Sequence, residues 1–240
     1  MTQLKTGPQF PAADYHSIRQ EGAKNHRVNI GCGEVYIATY NVRSLLGEDR
    51  LAALEEELAN IKWHVVGLAE TRRRGETVEQ TKHGHILYTV GKDNKSESGV
   101  GFLIHQDLAP NITEYTSASD RVAMVVMQLS KKYSVKVIQV YAPTSAHGDE
   151  EIEEMYEAIN TLMDKTKTQY TMIIGDFNAK IGTQQSHEST IMGKYGTGQR
   201  NERGDRLLEF ARSRNMYICS GKFQKKQRQL WTWKSPDGQT

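Results

Sequence analysis

The sequence predicts an α/β fold in which two sheets pack together and helices lie outside them. Three features predict it: a strand–helix–strand opening, a middle of short apolar runs between polar turns, and two helix–strand units near the end. A strand–helix–strand unit favours parallel pairing, whereas short runs joined by turns favour antiparallel hairpins. Mixed sheets covered by helices are one of the few layer arrangements that bury every apolar face.

Composition sets the class of protein but not its function. The chain has 240 residues, a formal net charge of +2 and two cysteines, Cys32 and Cys219. A mildly basic chain permits a phosphate-bearing partner without requiring one. Two cysteines without paired spacing suit a reducing compartment and argue against a disulfide framework or a zinc site. No apolar run reaches the length of a membrane span, so we expect an intracellular protein that does not bind a membrane.

The first third of the chain contains a leader and the strand–helix–strand unit. Residues 1–33 lack a sustained apolar period, so we expect a flexible leader there and one folded domain over 34–240. β-rich residues at 35–42 and an apolar run at 65–69 predict two strands. Between them, helical spacing predicts an amphipathic helix from Leu51, Leu54, Leu58 and Ile61.

The rest of the chain changes from hairpins back to helix–strand units. Short apolar runs predict antiparallel strands at 85–90, 100–104, 122–129 and 135–141. Apolar residues at helical spacing over 152–163 predict a second helix, which is followed by a strand over 170–176. A long polar loop (182–203), a third helix (204–215) and strands at 216–220 and 230–233 complete the predicted order.

Polar side chains follow four of the predicted apolar strands. Asp176 and Asn178 come directly after one strand, and period-two alternation sends both to the same side. Asn41, Glu70 and Tyr141 end the other three. Each has an ordinary explanation as a turn or solvated strand-end residue. Taken together, two carboxylates with amide and phenol groups form an oxygen-rich set that suits Mg²⁺ or Mn²⁺ rather than Zn²⁺.

The strand-end residues belong to longer motifs that resemble those of the endonuclease/exonuclease/phosphatase superfamily. The motifs are Thr39-Tyr40-Asn41-Val42, Leu68-Ala69-Glu70-Thr71, Val140-Tyr141-Ala142-Pro143-Thr144, Gly175-Asp176-Phe177-Asn178 and Trp231-Thr232-Trp233. The most similar members are the endonuclease domain of RTE-type LINE retrotransposons and its domesticated derivatives of the craniofacial development protein 2 type. This finer resemblance lies in residues 70–73, 99–103, 201–210 and 231–238. The resemblance implies a DNase I-like four-layer α/β sandwich that cleaves phosphodiesters with a divalent metal and takes DNA as substrate.

The resemblance also implies a role for each strand-end residue. Glu70 would bind the metal and Asn41 would assist it. Asp176 would orient or deprotonate the attacking water, Asn178 would hold the scissile phosphate, and Tyr141 would stabilise charge on it. Substrate contacts are expected from Arg72, Arg73, Asn201 and Trp231, although the arginines also fit a solvated run of charge.

The chain departs from the superfamily pattern in its last part. The superfamily site includes a later Asp-bearing strand and a Ser-Asp-His triplet, whereas the last histidine here is His187, inside the long loop. We therefore expect a fold that lacks its last strands, weak or absent catalysis, and a monomer or weak self-association through an exposed sheet edge. Two alternatives stay open: a non-catalytic module that binds DNA or protein, and a phosphatase for small phosphorylated substrates. A DNA substrate would imply a nuclear location.

Overall fold

The computed structural model of the protein describes residues 34–144 and 147–224. The predicted leader and the predicted strand at 230–233 lie outside these residues. Within them the strands are β1 (Ile37–Asn41), β2 (Val65–Ala69), β3 (Glu76–Gln80), β4 (Ile86–Val90), β5 (Val100–Ile104), β6 (Ile112–Ser119), β7 (Val122–Gln128), β8 (Ser134–Tyr141) and β9 (Tyr170–Asp176). The helices are α1 (Glu48–Leu58), α2 (Asp149–Lys165) and α3 (Glu202–Ser213).

The described strands form two mixed sheets. The first has the order β1-β2-β5-β4-β3 and the second the order β6-β7-β8-β9. The pairs β1–β2 and β8–β9 are parallel, and the other pairs are antiparallel. The parallel pair at the opening and the hairpins in the middle confirm the pairing that the sequence predicts.

Alternating side chains of the strands place each sheet between two layers. In β2, Val66 and Leu68 pack against α1, whereas Val65 points into the core between the sheets. On the second sheet, Ile138 and Val140 pack against α2. The order of layers is therefore α1, first sheet, second sheet and then α2 with α3, which is the predicted α/β sandwich.

A buried glutamine crosses the core between the sheets. The Gln139 side chain of β8 is fully buried, and its Oε1 accepts a hydrogen bond from Thr39 Oγ1 of β1 at 3.1 Å. The absent side chain of Gly67 in β2 leaves the space for this amide, since a Cβ there would lie 2.9 Å from Gln139 Cδ and Ile174 Cδ1. This contact joins β1 of the first sheet to β8 of the second.

β1, an outer strand of the first sheet, lies on the same side of the sandwich as β9, an outer strand of the second sheet. In the described residues no further strand pairs with the free edge of β1 or of β9. Tyr40, Tyr170 and Met172 on these strands are 51%, 56% and 41% exposed. The exposed sheet edge that we expect from the sequence is thus a feature of this part of the chain.

The structure corrects several predicted elements. Strands β3 and β6 carry mostly half-exposed polar residues and give no apolar pattern to detect. The predicted strand at 216–220 is wrong: these residues form one parallel bridge between Met192 and Ile218 and run into a short 3₁₀ helix, Cys219–Gly221. None of the described helices has the length and apolar character to cross a membrane.

Candidate active site

The carboxyl ends of β1, β2, β8 and β9 meet at one end of the sandwich, and each carries a predicted site residue there. Asn41 ends β1 and Asp176 ends β9, and the Asn41 Nδ2 atom donates a hydrogen bond to Asp176 Oδ2 at 3.2 Å. Tyr141 is paired with Asp176 in the β8–β9 register. Glu70 directly follows β2, the parallel neighbour of β1. The Asn41–Asp176 hydrogen bond therefore joins the two sheets at this end.

The chain turns sharply directly after β2, where Glu70 lies. Glu70 and Arg72 both have left-handed backbone conformations, with φ of 60° and 58°. Such residues cost about 1–3 kcal/mol each and persist only where the surroundings hold them. Here the Thr71 and Arg72 amides donate to the carbonyls of Gly99 and Ser98 at 3.0 and 2.8 Å. The turn thus holds the Glu70 side chain at the end of the sheet.

A second sharp turn follows β9. Asn178 has φ of 47°, and its backbone amide donates to Asp176 Oδ1 at 3.1 Å. Its side-chain Nδ2 donates to the Ala142 carbonyl at 2.8 Å, while the Ala142 amide donates to the Asp176 carbonyl at 2.8 Å. Both Asp176 oxygens therefore have a partner, and the Asp176 carboxylate is fixed in orientation by the β1, β8 and β9 ends together.

Charges of both signs surround the Tyr141 ring. Burial and then the Glu70 carboxylate raise the pKa of Tyr141, while the nearby Arg121 and Arg72 guanidinium groups act in the opposite direction. Arg121 lies over the ring at 5.6 Å and donates to the Tyr141 carbonyl at 3.5 Å. The phenol consequently stays protonated at neutral pH and can donate a hydrogen bond.

Two arginines lie next to strand-end residues, Arg72 beside Glu70 and Arg121 beside Tyr141, and the sequence predicts only Arg72. Arg72 pairs with Glu70 at 2.5 Å and its side chain is 45% exposed. Arg121 pairs with Glu151 of α2 at 3.5 Å. Arg121 lies in the turn between β6 and β7, and its sequence neighbours do not distinguish it from a solvent-exposed arginine in any other turn. Only the packing of that turn against β8 reveals its position.

The remaining predicted substrate-binding residues have other contacts or lie outside the described residues. Arg73 donates to the Leu45 carbonyl at 3.1 Å and pairs with Glu79. The Asn201 side chain caps α3 by accepting from the Gly204 amide at 2.9 Å, and it also accepts from the Lys180 amide at 3.0 Å. These contacts give both side chains a structural role. Trp231 lies outside the described residues.

The donor set at the strand ends fits a hard divalent cation. Glu70 and Asp176 offer carboxylate oxygens, and Asn41 offers an amide oxygen that already accepts from the Arg43 amide at 3.0 Å. No three histidine, cysteine or acidic residues are grouped for a metal in the described part of the chain. One or two carboxylates are what Mg²⁺ uses when phosphate and water complete its shell, whereas zinc needs nitrogen or sulfur ligands that are absent from this set.

Histidines are separated from the strand-end residues in the described ranges. His64 precedes β2, whereas Glu70 follows it, so a whole strand of about 17 Å separates them. His83, His85 and His105 lie at the same end as His64. His147 follows β8 and bonds to Thr144 at 3.0 Å. In the part of the chain that the structure describes, no hydrogen bond joins a histidine side chain to a strand-end residue.

Comparison with known proteins identifies the family. A sequence profile of the Endonuclease/Exonuclease/phosphatase family matches residues 38–237. The chain belongs to this family. The match includes all four strand ends described above, so the family assignment and the geometry concern the same part of the molecule.

Curated relatives carry the name craniofacial development protein 2. The one from Bos taurus is 34% identical over 209 residues, which are 86% of this chain and 34% of that protein. The one from Tragulus javanicus is 33% identical over 209 residues, covering 86% of this chain and 36% of that protein. The chain thus spans about a third of the length of these relatives, and it is similar to that portion alone.

Solved structures with a similar chain path include two enzymes. The 3′ phosphatase NExo from Neisseria, bound to a product DNA hairpin, is 18% identical with a TM-score of 0.46, covering 62% of this chain and 60% of its own. The AP endonuclease LMAP from Leishmania major is 12% identical with a TM-score of 0.45, covering 72% of this chain and 65% of its own.

Proposed function

We propose that the protein hydrolyses phosphodiester bonds of DNA with the help of a divalent cation, Mg²⁺ or Mn²⁺. Phosphoester hydrolysis is the chemistry common to the nucleases and phosphatases for which the family is named. The observation that carries the proposal is the hydrogen bond from Asn41 to Asp176, because it joins the two sheets where Glu70 and Tyr141 also end.

Asp176 is the residue that orients the attacking water in this proposal. Its carboxylate is held by the Asn41 side chain and by the Asn178 amide, so its remaining lone pairs point in a fixed direction. A carboxylate held in this way can accept a proton from water and aim its oxygen at phosphorus. Asn178 has a second N–H on its side chain beyond the one bonded to Ala142, and this N–H is available to a phosphate oxygen.

Glu70 and Asn41 are the residues that would hold the cation. When bound, the cation would neutralise phosphate charge and favour in-line attack. Arg72 pairs with the Oε1 atom of Glu70, and its side chain is 45% exposed. It could also contact a phosphate of the DNA backbone, which would make substrate binding sensitive to salt.

Tyr141 and Arg121 supply positive charge and a hydrogen-bond donor at the phosphate. The raised pKa of Tyr141 keeps its phenol protonated, and a phenol that donates to a developing oxyanion lowers the barrier. Arg121 lies over the ring and bonds to the Tyr141 carbonyl, so it positions the tyrosine while adding charge near the site.

Turnover is expected to be slow. A histidine that serves as general acid or base contributes about 10²–10⁴ in rate, and none bonds to the strand-end residues in the described part of the chain. The same observation favours the second candidate function, a module that binds DNA without cutting it. A nuclear location would follow from a DNA substrate in either case.

The full chain should be tested on three substrates with Mg²⁺ and with EDTA: supercoiled plasmid, bis(p-nitrophenyl) phosphate and p-nitrophenyl phosphate. The proposal predicts slow nicking of plasmid that EDTA abolishes, and little release of p-nitrophenol. Faster hydrolysis of the monoester than of plasmid would show a phosphatase instead. Plasmid that is bound in a gel-shift assay but never nicked would replace the hydrolase with the binding module.

A further inference from the structure

A cleft of about 900 Å³ opens at the end of the first sheet that lies opposite the strand-end residues. Aromatic and imidazole rings line it from three strand termini and the segment before β1. Trp63 forms edge contacts with His85 and His105 at 4.9 and 5.1 Å between ring centroids. Tyr36 stacks on His64 at 5.6 Å with 11° between the planes. Trp63 itself is buried, so the half-buried Tyr36 and histidine rings are the surfaces open to a ligand.

A buried carboxylate faces this ring cluster from α1. Glu55 is only 7% exposed, and its Oε1 atom is buried without a hydrogen-bond partner. Its Oε2 atom contacts His83 Nδ1 at 2.9 Å. An unpartnered buried carboxylate oxygen is costly, and proteins normally pair it. The His83 side chain is 63% exposed, so the carboxylate can exchange this imidazole for another donor.

The charge balance of the cleft favours a cation. Burial lowers the pKa of His64 and of His85, and the nearby His105 lowers both further. Both rings are therefore neutral at neutral pH and do not repel positive charge. Glu55 and Glu56 of α1 add negative charge, and Lys62 at the rim opposes them. Lys62 itself sits over the Tyr36 ring at 5.9 Å, which shows that this ring face accepts a cation.

A metal ion fits the cleft less well than an organic cation. No three of the histidine and acidic side chains converge as metal ligands within the described residues. The His85 Nδ1 and His105 Nδ1 atoms already accept from the Gln106 and Asp107 amides at 3.2 and 3.3 Å. A planar cation can use the ring faces and the carboxylate at once, without demanding convergent lone pairs.

We propose that this cleft binds the guanidinium group of an arginine side chain presented by a partner protein. The guanidinium stacks on the His105 ring, whose side chain is 26% exposed and which packs edge-on against Trp63. Its parallel N–H donors bond to the two Glu55 oxygens, with the bond to Oε2 replacing that of His83. Guanidinium is preferred over ammonium because its fork matches both carboxylate oxygens and its plane stacks on rings. The cleft is a second site, at the opposite end of the first sheet from the residues proposed for catalysis.

Titration of the ¹⁵N-labelled full chain, followed by NMR, tests this assignment. The probes are acetyl-Gly-Arg-Gly-amide, the same peptide with Lys or Gly in the middle, and free methylguanidinium. We expect the Arg peptide and methylguanidinium to shift the Trp63 indole signal, with a Kd of about a millimolar. The Gly peptide should give no shift, and the Lys peptide should bind more weakly. Trp63→Phe identifies the indole signal and should weaken binding.

Glu55→Gln and Glu57→Gln form the matched pair of variants. Glu55→Gln should weaken Arg-peptide binding about tenfold or more, the loss expected for a hydrogen bond between charged groups. Glu57→Gln removes an equal charge from an exposed position of the same helix that does not line the cleft, and it should bind within about twofold of the wild type. Thermal unfolding of each variant establishes that it is folded.

Several results would overturn the proposal. These are no Trp63 shift with either guanidinium probe, equal binding of the Arg and Lys peptides, and equal losses in the two glutamate variants. Submicromolar binding of Zn²⁺ that displaces the Arg peptide would make the cleft a metal site instead. None of these outcomes bears on plasmid nicking, so the two proposals stand or fall separately.

Discussion

Replacing Gly175 with alanine should destabilise the protein by an amount that the structure allows us to estimate. Gly175 has φ of 138°, a conformation that side chains rarely adopt, and it directly precedes Asp176 in β9. A Cβ at this position would lie 2.8 Å from both the amide nitrogen and the carbonyl carbon of Val140, and closer still to its carbonyl oxygen. Backbone cannot move aside as a flexible side chain can. We expect about 1–3 kcal/mol from the φ angle and about 1–3 kcal/mol from the overlap, hence a loss of about 2–6 kcal/mol.

Gly198→Ala separates the two contributions. Gly198 also has a positive φ, 78°, but an added Cβ there meets no atom within 4 Å. It should therefore lose only the backbone cost of about 1–2 kcal/mol. Urea unfolding followed by circular dichroism measures both changes. Equal losses in the two variants, or a Gly175→Ala loss below about 1 kcal/mol, would refute the tight approach of β9 to β8 on which the placement of Asp176 beside Tyr141 depends.

Three further predictions concern other parts of the molecule. Arg200→Met should cost about 3 kcal/mol in urea unfolding, because it leaves the buried Glu188 carboxylate, whose pKa Arg200 lowers to about 2, without its bidentate partner; an unchanged midpoint would contradict this. The stability of the fold should decrease as pH is lowered from about 7.5 to 5. His64 and His85 have lowered pKa values in the folded protein, so below about pH 6.5 the unfolded chain takes up protons first and is favoured. A melting temperature that increases as pH is lowered would contradict the lowered pKa values. Tyr141→Phe should slow plasmid nicking about 10²-fold while leaving gel-shift affinity nearly unchanged, as for loss of an oxyanion donor; loss of binding instead would make the phenol a DNA anchor.

The sequence predicts the buried elements well because burial imposes a pattern. The strand at 65–69 has the predicted bounds, since every residue of β2 is buried and the run is wholly apolar. The helix around Leu51–Leu58 follows from its spacing, although its first residue is Glu48. In contrast, β3 and β6 expose much of their surface and pair through backbone hydrogen bonds, which residue type reports poorly.

The strand-end residues were found through motifs, whereas their surroundings depend on tertiary contacts. Asn41 and Asp176 are 135 positions apart, and only the packing of one sheet on the other brings them to hydrogen-bonding distance. The sequence does not indicate Arg121 for the same reason, since only the packing of its turn against β8 brings it to Tyr141. The substrate contact predicted for Asn201 stays a prediction, and the structure adds that its side chain caps α3.

Plasmid nicking in Mg²⁺ by matched variants shows whether the carboxylates at the strand ends take part in phosphodiester hydrolysis. Glu70→Gln and Asp176→Asn should each lower the nicking rate about 10²–10⁴-fold. Asp107→Asn, which neutralises an acid whose side chain is 70% exposed at the opposite end of the first sheet, should nick at the wild-type rate. Nicking at the wild-type rate by either strand-end variant, or an equal loss in Asp107→Asn, would contradict the account.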